Sequence, residues 1–351
     1  MVSLPLAPYF EFPTIQPTIY VGFSWTVFVV IAALLLGSVA PFLWCLAGAR
    51  ATRPTPIRLA RDFPWWGIAA FIWTGVIWAM AWSSPAILAG VRRFSFTPLW
   101  LGYIVIVNAF LWWRSGYSLL THRPRYLVQL FVLSAVFWWF FEYLNRFVHN
   151  WHYQLVEDYT PLEYFLVATP PFSTVLPAVL STYLLLRTFP RLWWGVHVTW
   201  RLHPSQPRYL GGVALLLGAL GLLGIAVFPL RLYPLVWVAP LILVTAAQAT
   251  AGHATVFSSL TQGDWRPVWL AALSGILCGF FWEMWNWGSL PRWAYTVPAV
   301  QRFHLFEMPL IGYTGYLPFG VECLAIAHLY LSAPLLDDET ERVWFVLGPW
   351  S

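Results

Sequence analysis

The sequence contains no lysine, and all 19 of its basic residues are arginines. A lysine Schiff base is therefore impossible, which excludes retinal photoreceptors and pyridoxal enzymes. Cysteine is also scarce. Cys45, Cys278 and Cys323 stand alone in apolar runs, without the CxxC pairs of a haem attachment site, a zinc ribbon or a redox motif. We interpret them as small core residues.

Charge of either sign is rare. Charged residues make up 9% of the chain and hydrophobic residues 60%, which leaves too little polar surface to cover a soluble globule. Apolar stretches of the ~20 residues needed to cross a ~30 Å hydrocarbon layer recur along the whole length. The sequence therefore predicts an all-α, polytopic membrane helical bundle. The net charge of +5 comes from arginines spread over successive loops, so we assign no nucleic-acid role.

The apolar stretches predict about nine transmembrane helices, with loops that hold nearly all of the charge. Thirteen arginines fall on the loops of one side and six on the other, which predicts a cell-membrane protein with its N-terminus outside and its C-terminus cytoplasmic. The predicted helices cover roughly 20–47, 64–88, 95–113, 126–145, 162–187, 209–228, 232–250, 267–287 and 309–334.

An internal repeat organises these helices. Residues 118–153 align with residues 258–295, and the aligned pairs keep a nearly constant spacing. Each half then contains four helices, so both halves have the same orientation, and the first helix stands outside the repeat. The predicted domains are an N-terminal segment with the first helix (1–61), two four-helix repeats (62–200 and 201–335) and an acidic tail (336–351). The aligned pairs are Thr121 with Thr261, Glu142 with Glu283, Asn145 with Asn286, Trp151 with Trp293, and Tyr153 with Tyr295.

Acidic residues in the apolar layer are the candidate catalytic groups, because a carboxylate placed there is costly and usually marks function. Glu142 and Glu283 each lie three residues before an asparagine on the same helix face, and Glu163 and Glu307 follow in corresponding positions. Burial would favour the neutral acid and allow these four glutamates to donate protons. A structural alternative stays open, in which each Glu/Asn pair ties a helix end to the next loop.

Aromatic and amide side chains beside the glutamates are the candidate substrate-binding groups. Aromatic faces can attract a developing cation, although tryptophan and tyrosine also collect at membrane interfaces whatever the function. The candidates are Asn145, Asn286, Trp139, Trp282, Trp151, Trp293, Tyr153 and Tyr295.

Histidines offer a rival chemistry. His149, His152 and His304 share the outer loops with the carboxylates, but His149 and His152 have no counterparts in the second half, so no metal site is predicted. His253 and His328 lack partners at helical spacing and do not predict haem.

A transporter is a further alternative, although its acids are expected nearer the bilayer centre. No Walker, Rossmann or GxSxG motif occurs in a suitable context.

Residues 142–180, EYLNRFVHNWHYQLVEDYTPLEYFLVATPPFSTVLPAVL, resemble the lycopene cyclase domain of the small bacterial, archaeal and fungal carotenoid cyclases. In that family an acidic residue near a helix end precedes W-x-Y, and a Pro/Glu motif opens an aromatic-rich helix. Residues 283–330 resemble the same scheme more loosely, and tandem copies are typical of the family. The chain departs from the pattern at Glu142 and Glu283, where the family has aspartate, and Glu163 lacks the second glutamate of P-x-E-E.

The resemblance implies a reaction that needs no cofactor: an acid protonates a terminal isoprenoid double bond, the carbocation closes a ring, and a base removes a proton. Glu163 or Glu307 would be the acid, and Glu142 or Glu283 the base. The expected partners are an apolar isoprenoid or lipid, the bilayer and other membrane proteins. The alternative is a non-catalytic subunit that holds pigment, quinone or lipid in a bioenergetic or photosynthetic assembly.

Overall fold

The computed structural model describes residues 12–13, 21–49, 61–83, 89–156 and 158–331. Within these ranges 74% of the residues are helical, and there are four very short strands. The helices are α1 Trp25–Gly48, α2 Trp65–Trp82, α3 Ala89–Phe94, α4 Phe96–Ser115, α5 Leu119–His122, α6 Pro124–Val148, α7 Pro161–Phe172, α8 Val175–Arg187, α9 Pro207–Val227, α10 Pro229–Leu232, α11 Ala239–Thr250, α12 Arg266–Gly288 and α13 Tyr316–Leu331. The strands are β1 Trp151–Gln154, β2 Arg292–Tyr295, β3 His304–Leu305 and β4 Met308–Pro309.

The described residues contain 8 helical segments that are long and apolar enough to cross a membrane, or 9 if one bent pair is counted as a single span. The fold is therefore an all-α polytopic helical bundle, as predicted. The spans agree closely with the predicted helices. In lipid, a run of ~20 apolar residues can satisfy its own backbone hydrogen bonds by forming a helix. Arg50, Arg53, Arg58, Arg342 and the acidic tail lie outside the described residues.

Two spans are broken. Pro170 and Pro171 end α7, and Ser134 of α6 fills the gap before α8: its hydroxyl donates to the Phe172 carbonyl (2.7 Å) and accepts from the Leu176 N–H (3.1 Å). The second break bends Pro229–Trp237 by 54° against α11. Proline removes backbone donors, and side chains of a neighbouring helix can replace them.

The chain forms two compact units. Unit 1 takes the described residues within Met1–Val29, Arg61–Ala178 and Phe280–Gly312, and unit 2 those within Val30–Ala60, Val179–Gly279 and Tyr313–Ser351. Each unit is packed partly through glycine. A side chain at Gly102 in unit 1 would collide with Thr74, and one at Gly320 in unit 2 would collide with the Ala271 backbone. Small residues allow helices to approach this closely in a bilayer.

The loops after α6 and α12, which belong to unit 1, pair with each other. Strands β1 and β2 are antiparallel, and Trp151 lies opposite Tyr295 while Tyr153 lies opposite Trp293. The two W-x-Y stretches of the repeat therefore meet in a register that a twofold rotation would reproduce. We call this pair of strands the ribbon. It was not predicted, because four residues with mixed polarity carry no strand signal.

Candidate functional site

The first cluster comprises Trp138, Glu142, Asn145, Trp151 and Tyr153, from α6 and β1. Three donors converge on Oε1 of Glu142: the indole N–H of Trp138 at 3.1 Å, that of Trp151 at 3.0 Å and the hydroxyl of Tyr153 at 2.7 Å. Glu142 is 5% exposed. The carboxyl group thus accepts one hydrogen bond from Trp138, one turn earlier on α6, and two from Trp151 and Tyr153 on β1.

Asn145 fixes the backbone where α6 ends. Its Nδ2 donates to the Trp151 carbonyl at 2.7 Å, and its Oδ1 accepts from the N–H groups of Asn150 (2.9 Å) and Trp151 (3.3 Å). His149 at the helix end adopts the left-handed conformation (φ 48°). These bonds turn the chain back so that the Trp151 and Tyr153 side chains reach Glu142.

The second cluster comprises Glu283, Asn286, Trp293 and Tyr295, from α12 and β2. Asn286 repeats the backbone contact, since its Nδ2 donates to the Trp293 carbonyl (2.7 Å) and its Oδ1 accepts from the Trp293 N–H (2.9 Å). Tyr295 donates its hydroxyl to Oε1 of Glu283 at 2.7 Å. Glu283 and Asn286 are fully buried, so both copies of the signature place a glutamate and an asparagine inside unit 1.

The two clusters differ in their tryptophans. The Trp293 indole donates to the Tyr295 hydroxyl (2.8 Å), whereas the equivalent Trp151 indole donates to the glutamate itself. The repeat also places Gly279 at the position of Trp138, so one of the three donors around Glu142 has no equivalent side chain. The two copies therefore share the Glu, Asn, Trp and Tyr of the signature, but they differ at the Trp138 position and in the partner of the equivalent indole.

Aromatic rings surround the first cluster. The Trp138 ring lies 6.2 Å from Trp151 and 6.1 Å from Phe172, and Tyr153 lies 6.1 Å from Tyr164. Trp139 packs on the same α7 residues, but its indole N–H donates to Thr169 (3.1 Å) rather than to a glutamate. In the second half, Trp282 packs against Trp100 at 5.2 Å. Aromatic rings thus surround Glu142, and Glu283 contacts the hydroxyl of Tyr295.

Tyr153 of the first cluster and His149 at the end of α6 have shifted pKa values. Burial, and then the neighbouring Glu142, hold the pKa of Tyr153 well above its ordinary value, so Tyr153 remains a donor at neutral pH. Burial, followed by the charge of Arg146, lowers the pKa of His149. His149 is therefore neutral at neutral pH.

Glu163 is separate from both clusters, because it caps the start of α7. It is exposed and forms a capping box at the start of α7: Oε2 accepts from the Thr160 N–H (2.9 Å) and hydroxyl (2.8 Å), and the Glu163 N–H donates to the Thr160 hydroxyl (3.3 Å). These contacts give Glu163 a structural role at the N-terminus of a helix.

Glu307 lies in the turn between β3 and β4 and forms an ion pair with Arg292 of β2, with Nη1 and Oε1 3.4 Å apart. Arg292 also donates through Nε to Gln154 on β1, at 3.0 Å. Glu307 is thus connected to the ribbon through a cation, unlike Glu142 and Glu283. An ion-paired carboxylate is poorly suited to donate a proton.

Within the described residues, no group of three or more histidine, cysteine or acidic side chains could hold a metal ion. No family model, curated protein or solved structure matches the chain.

Proposed function

We propose that this protein is a membrane-embedded enzyme that rearranges an apolar isoprenoid by proton transfer, through cyclisation or double-bond isomerisation. The observation that carries the proposal is the pair of buried glutamates, each hydrogen-bonded by a tyrosine hydroxyl and lying beside aromatic rings. The resemblance to carotenoid cyclases supports it, since that chemistry needs an acid, a base and surfaces that stabilise a cation.

In the proposed reaction, the carboxylic acid of Glu283 adds its proton to a terminal carbon–carbon double bond. The resulting carbocation is attacked by a second double bond of the same molecule, which closes the ring. Glu142 then removes a proton from a neighbouring carbon and restores a double bond. One proton enters and one leaves, so the product is an isomer of the substrate and no oxidant or cofactor is required.

The hydrogen-bond donors around each glutamate support the assignment of one as the acid and the other as the base. Three hydrogen bonds on one oxygen of Glu142 stabilise negative charge there, which suits a base. In the second cluster, glycine replaces the equivalent of Trp138 and the Trp293 indole donates to Tyr295. Glu283 therefore takes the role of acid that the sequence suggested for Glu163 or Glu307. Glu163 and Glu307 are already used in a helix cap and an ion pair.

The test replaces the glutamates by glutamine, which still accepts the tyrosine and tryptophan hydrogen bonds but cannot exchange a proton. Glu142→Gln and Glu283→Gln should each reduce product formation by about 100-fold or more in a host that accumulates an acyclic polyene. Products are measured by chromatography, normalised to the amount of membrane-inserted protein. Glu163→Gln is the matched control and should retain activity, because its carboxylate caps an exposed helix end.

Unchanged product formation in the double variant Glu142→Gln/Glu283→Gln would refute the proposal. If the wild-type protein also leaves the polyene of the host unchanged, that polyene is not its substrate.

A second candidate is a non-catalytic subunit that holds pigment, quinone or lipid. The observation that favours it is that Glu142 and Asn145 tie α6 to β1, and Glu283 and Asn286 tie α12 to β2. In that case the glutamine variants should keep the bound molecule, and extraction of the purified wild-type protein should yield a stoichiometric apolar ligand or a stable partner protein.

A further inference from the structure

Glu322 is a buried glutamate that belongs to neither cluster. It lies in α13 of unit 2, in a helical segment long and apolar enough to cross a membrane, and it is fully buried. Both of its carboxyl oxygens lack a hydrogen-bond partner among the described residues. A carboxyl group in apolar surroundings without partners is costly, and such residues in membrane helices usually serve a function.

The elements that pack against α13 offer no opposite charge near Glu322. The sequence of α11, Ala239–Thr250, contains no charged residue. Helix α12 approaches α13 through glycine and alanine, and Arg266 at its start pairs with Asp264 at 2.8 Å. The other titratable groups on these elements are Tyr233 in the segment before the break, Cys278 and Glu283 in α12, and Tyr316, Cys323, His328 and Tyr330 in α13. The charge of an ionised Glu322 would therefore have no compensating cation on these elements.

Two contacts place Glu322 along the span that is broken between Trp237 and Ala239. The Phe319 ring lies 6.1 Å from Trp237, before the break, and Nδ1 of His328 lies 3.4 Å from Nε2 of Gln248, well after it. Glu322 is three residues past Phe319, about 4.5 Å further along α13. It therefore lies near the level of the break, where α11 begins.

We propose that Glu322 is an intramembrane proton-binding site, located beside the break before α11. Its ligand is a proton, which the carboxyl group takes up and releases within the bilayer. Broken spans are where membrane proteins commonly bind ions, because helix ends and unpaired backbone groups meet there. The proposal is independent of the chemistry at Glu142 and Glu283, which lie in unit 1.

Infrared difference spectroscopy of the full-length protein in lipid tests this directly. A change of buffer from about pH 9 to about pH 5 should produce a carboxylic acid C=O band at the high frequency of a group without hydrogen bonds. The band should disappear in Glu322→Gln and remain in Glu142→Gln and Glu283→Gln. Glu322→Asp keeps an acid and should shift the band, which provides a second readout if the glutamine variant fails to fold.

Three results would overturn the proposal. A Glu322→Gln spectrum that superimposes on that of the wild type would show that another group binds the proton. A C=O band present at every pH would show a permanently neutral, structural acid. Loss of the band on addition of Na⁺ at constant pH would show that the site takes a metal cation instead.

Discussion

Asn145 and Asn286 position the backbone of the two strands, while the glutamates beside them bind the strand side chains. Each asparagine satisfies backbone groups that would otherwise be buried without partners. The amide is suited to this because one side chain both donates and accepts. The asparagines therefore position the backbone of the two strands, and their predicted binding of substrate stays a prediction.

Replacing Asn145 by alanine should lower the free energy of unfolding by on the order of 3 kcal/mol, because two backbone N–H groups and one carbonyl lose their partner. Asn286→Ala removes fewer described bonds and should cost less. Thermal unfolding in detergent, followed by tryptophan fluorescence, measures both. Equal midpoints for Asn145→Ala and the wild type would contradict this assignment.

Part of the site could be predicted from the sequence, but the Trp138 hydrogen bond and the buried Glu322 could not. Glu142, Glu283 and their asparagines could be recognised because the repeat aligned them. The capping role of Glu163 could also have been predicted, since Thr160 three residues earlier completes a capping-box pattern. Trp138 was one turn before Glu142 on the same helix face, but a tryptophan in an aromatic run does not reveal its N–H partner. Glu322 has no motif, and only burial distinguishes it.

At the scale of elements, hydrophobicity was enough to predict the helices and uninformative about the ribbon. In lipid, a long apolar run must satisfy its backbone hydrogen bonds internally, which favours a helix. The ribbon requires two loops that are far apart in the sequence to meet. Hydrogen bonds between the loops support it: the Thr296 N–H donates to the Asn150 carbonyl at 2.8 Å, and the Thr296 hydroxyl donates to the His149 carbonyl at 3.1 Å. Such long-range pairing cannot be read from local sequence.

The ribbon register predicts a disulfide. His152 and Ala294 are directly opposite, and paired antiparallel residues have Cα atoms about 4.5–5.5 Å apart, within the range of a disulfide. His152→Cys with Ala294→Cys, on a background lacking the native cysteines, should therefore cross-link on oxidation. Proteolysis followed by non-reducing mass spectrometry would detect the joined peptides.

The matched control is Gln154→Cys with Ala294→Cys. This pair is diagonal in the ribbon, with Cα atoms about 7–8 Å apart, so it should cross-link much less. More efficient cross-linking of the diagonal pair would show that the register is shifted. The signature residues of β1 and β2 alternate with the substituted positions, so both pairs leave them in place.

At the scale of the molecule, the compact units do not follow the sequence repeats. Unit 1 combines most of the first repeat with the end of α12 and the loop after it, and therefore contains both glutamate clusters. Helices α1, α9 and α2 bury few or none of their side chains in the described structure, as expected of surfaces that face lipid. The repeat is a property of the sequence, whereas the site is assembled inside one unit.

The arginine distribution predicts that the loop containing Asp158 faces the outside and the loop containing His203 the cytoplasm. Both residues are exposed, so each can be replaced by cysteine for labelling with a membrane-impermeant maleimide. Cys45 is replaced by serine first, because Cys278 and Cys323 are buried but Cys45 is partly accessible. Asp158→Cys should react in intact cells, and His203→Cys only after lysis. The reverse pattern would invert the topology, and it would place the loop between α6 and α7, which carries β1 of the ribbon, on the cytoplasmic side.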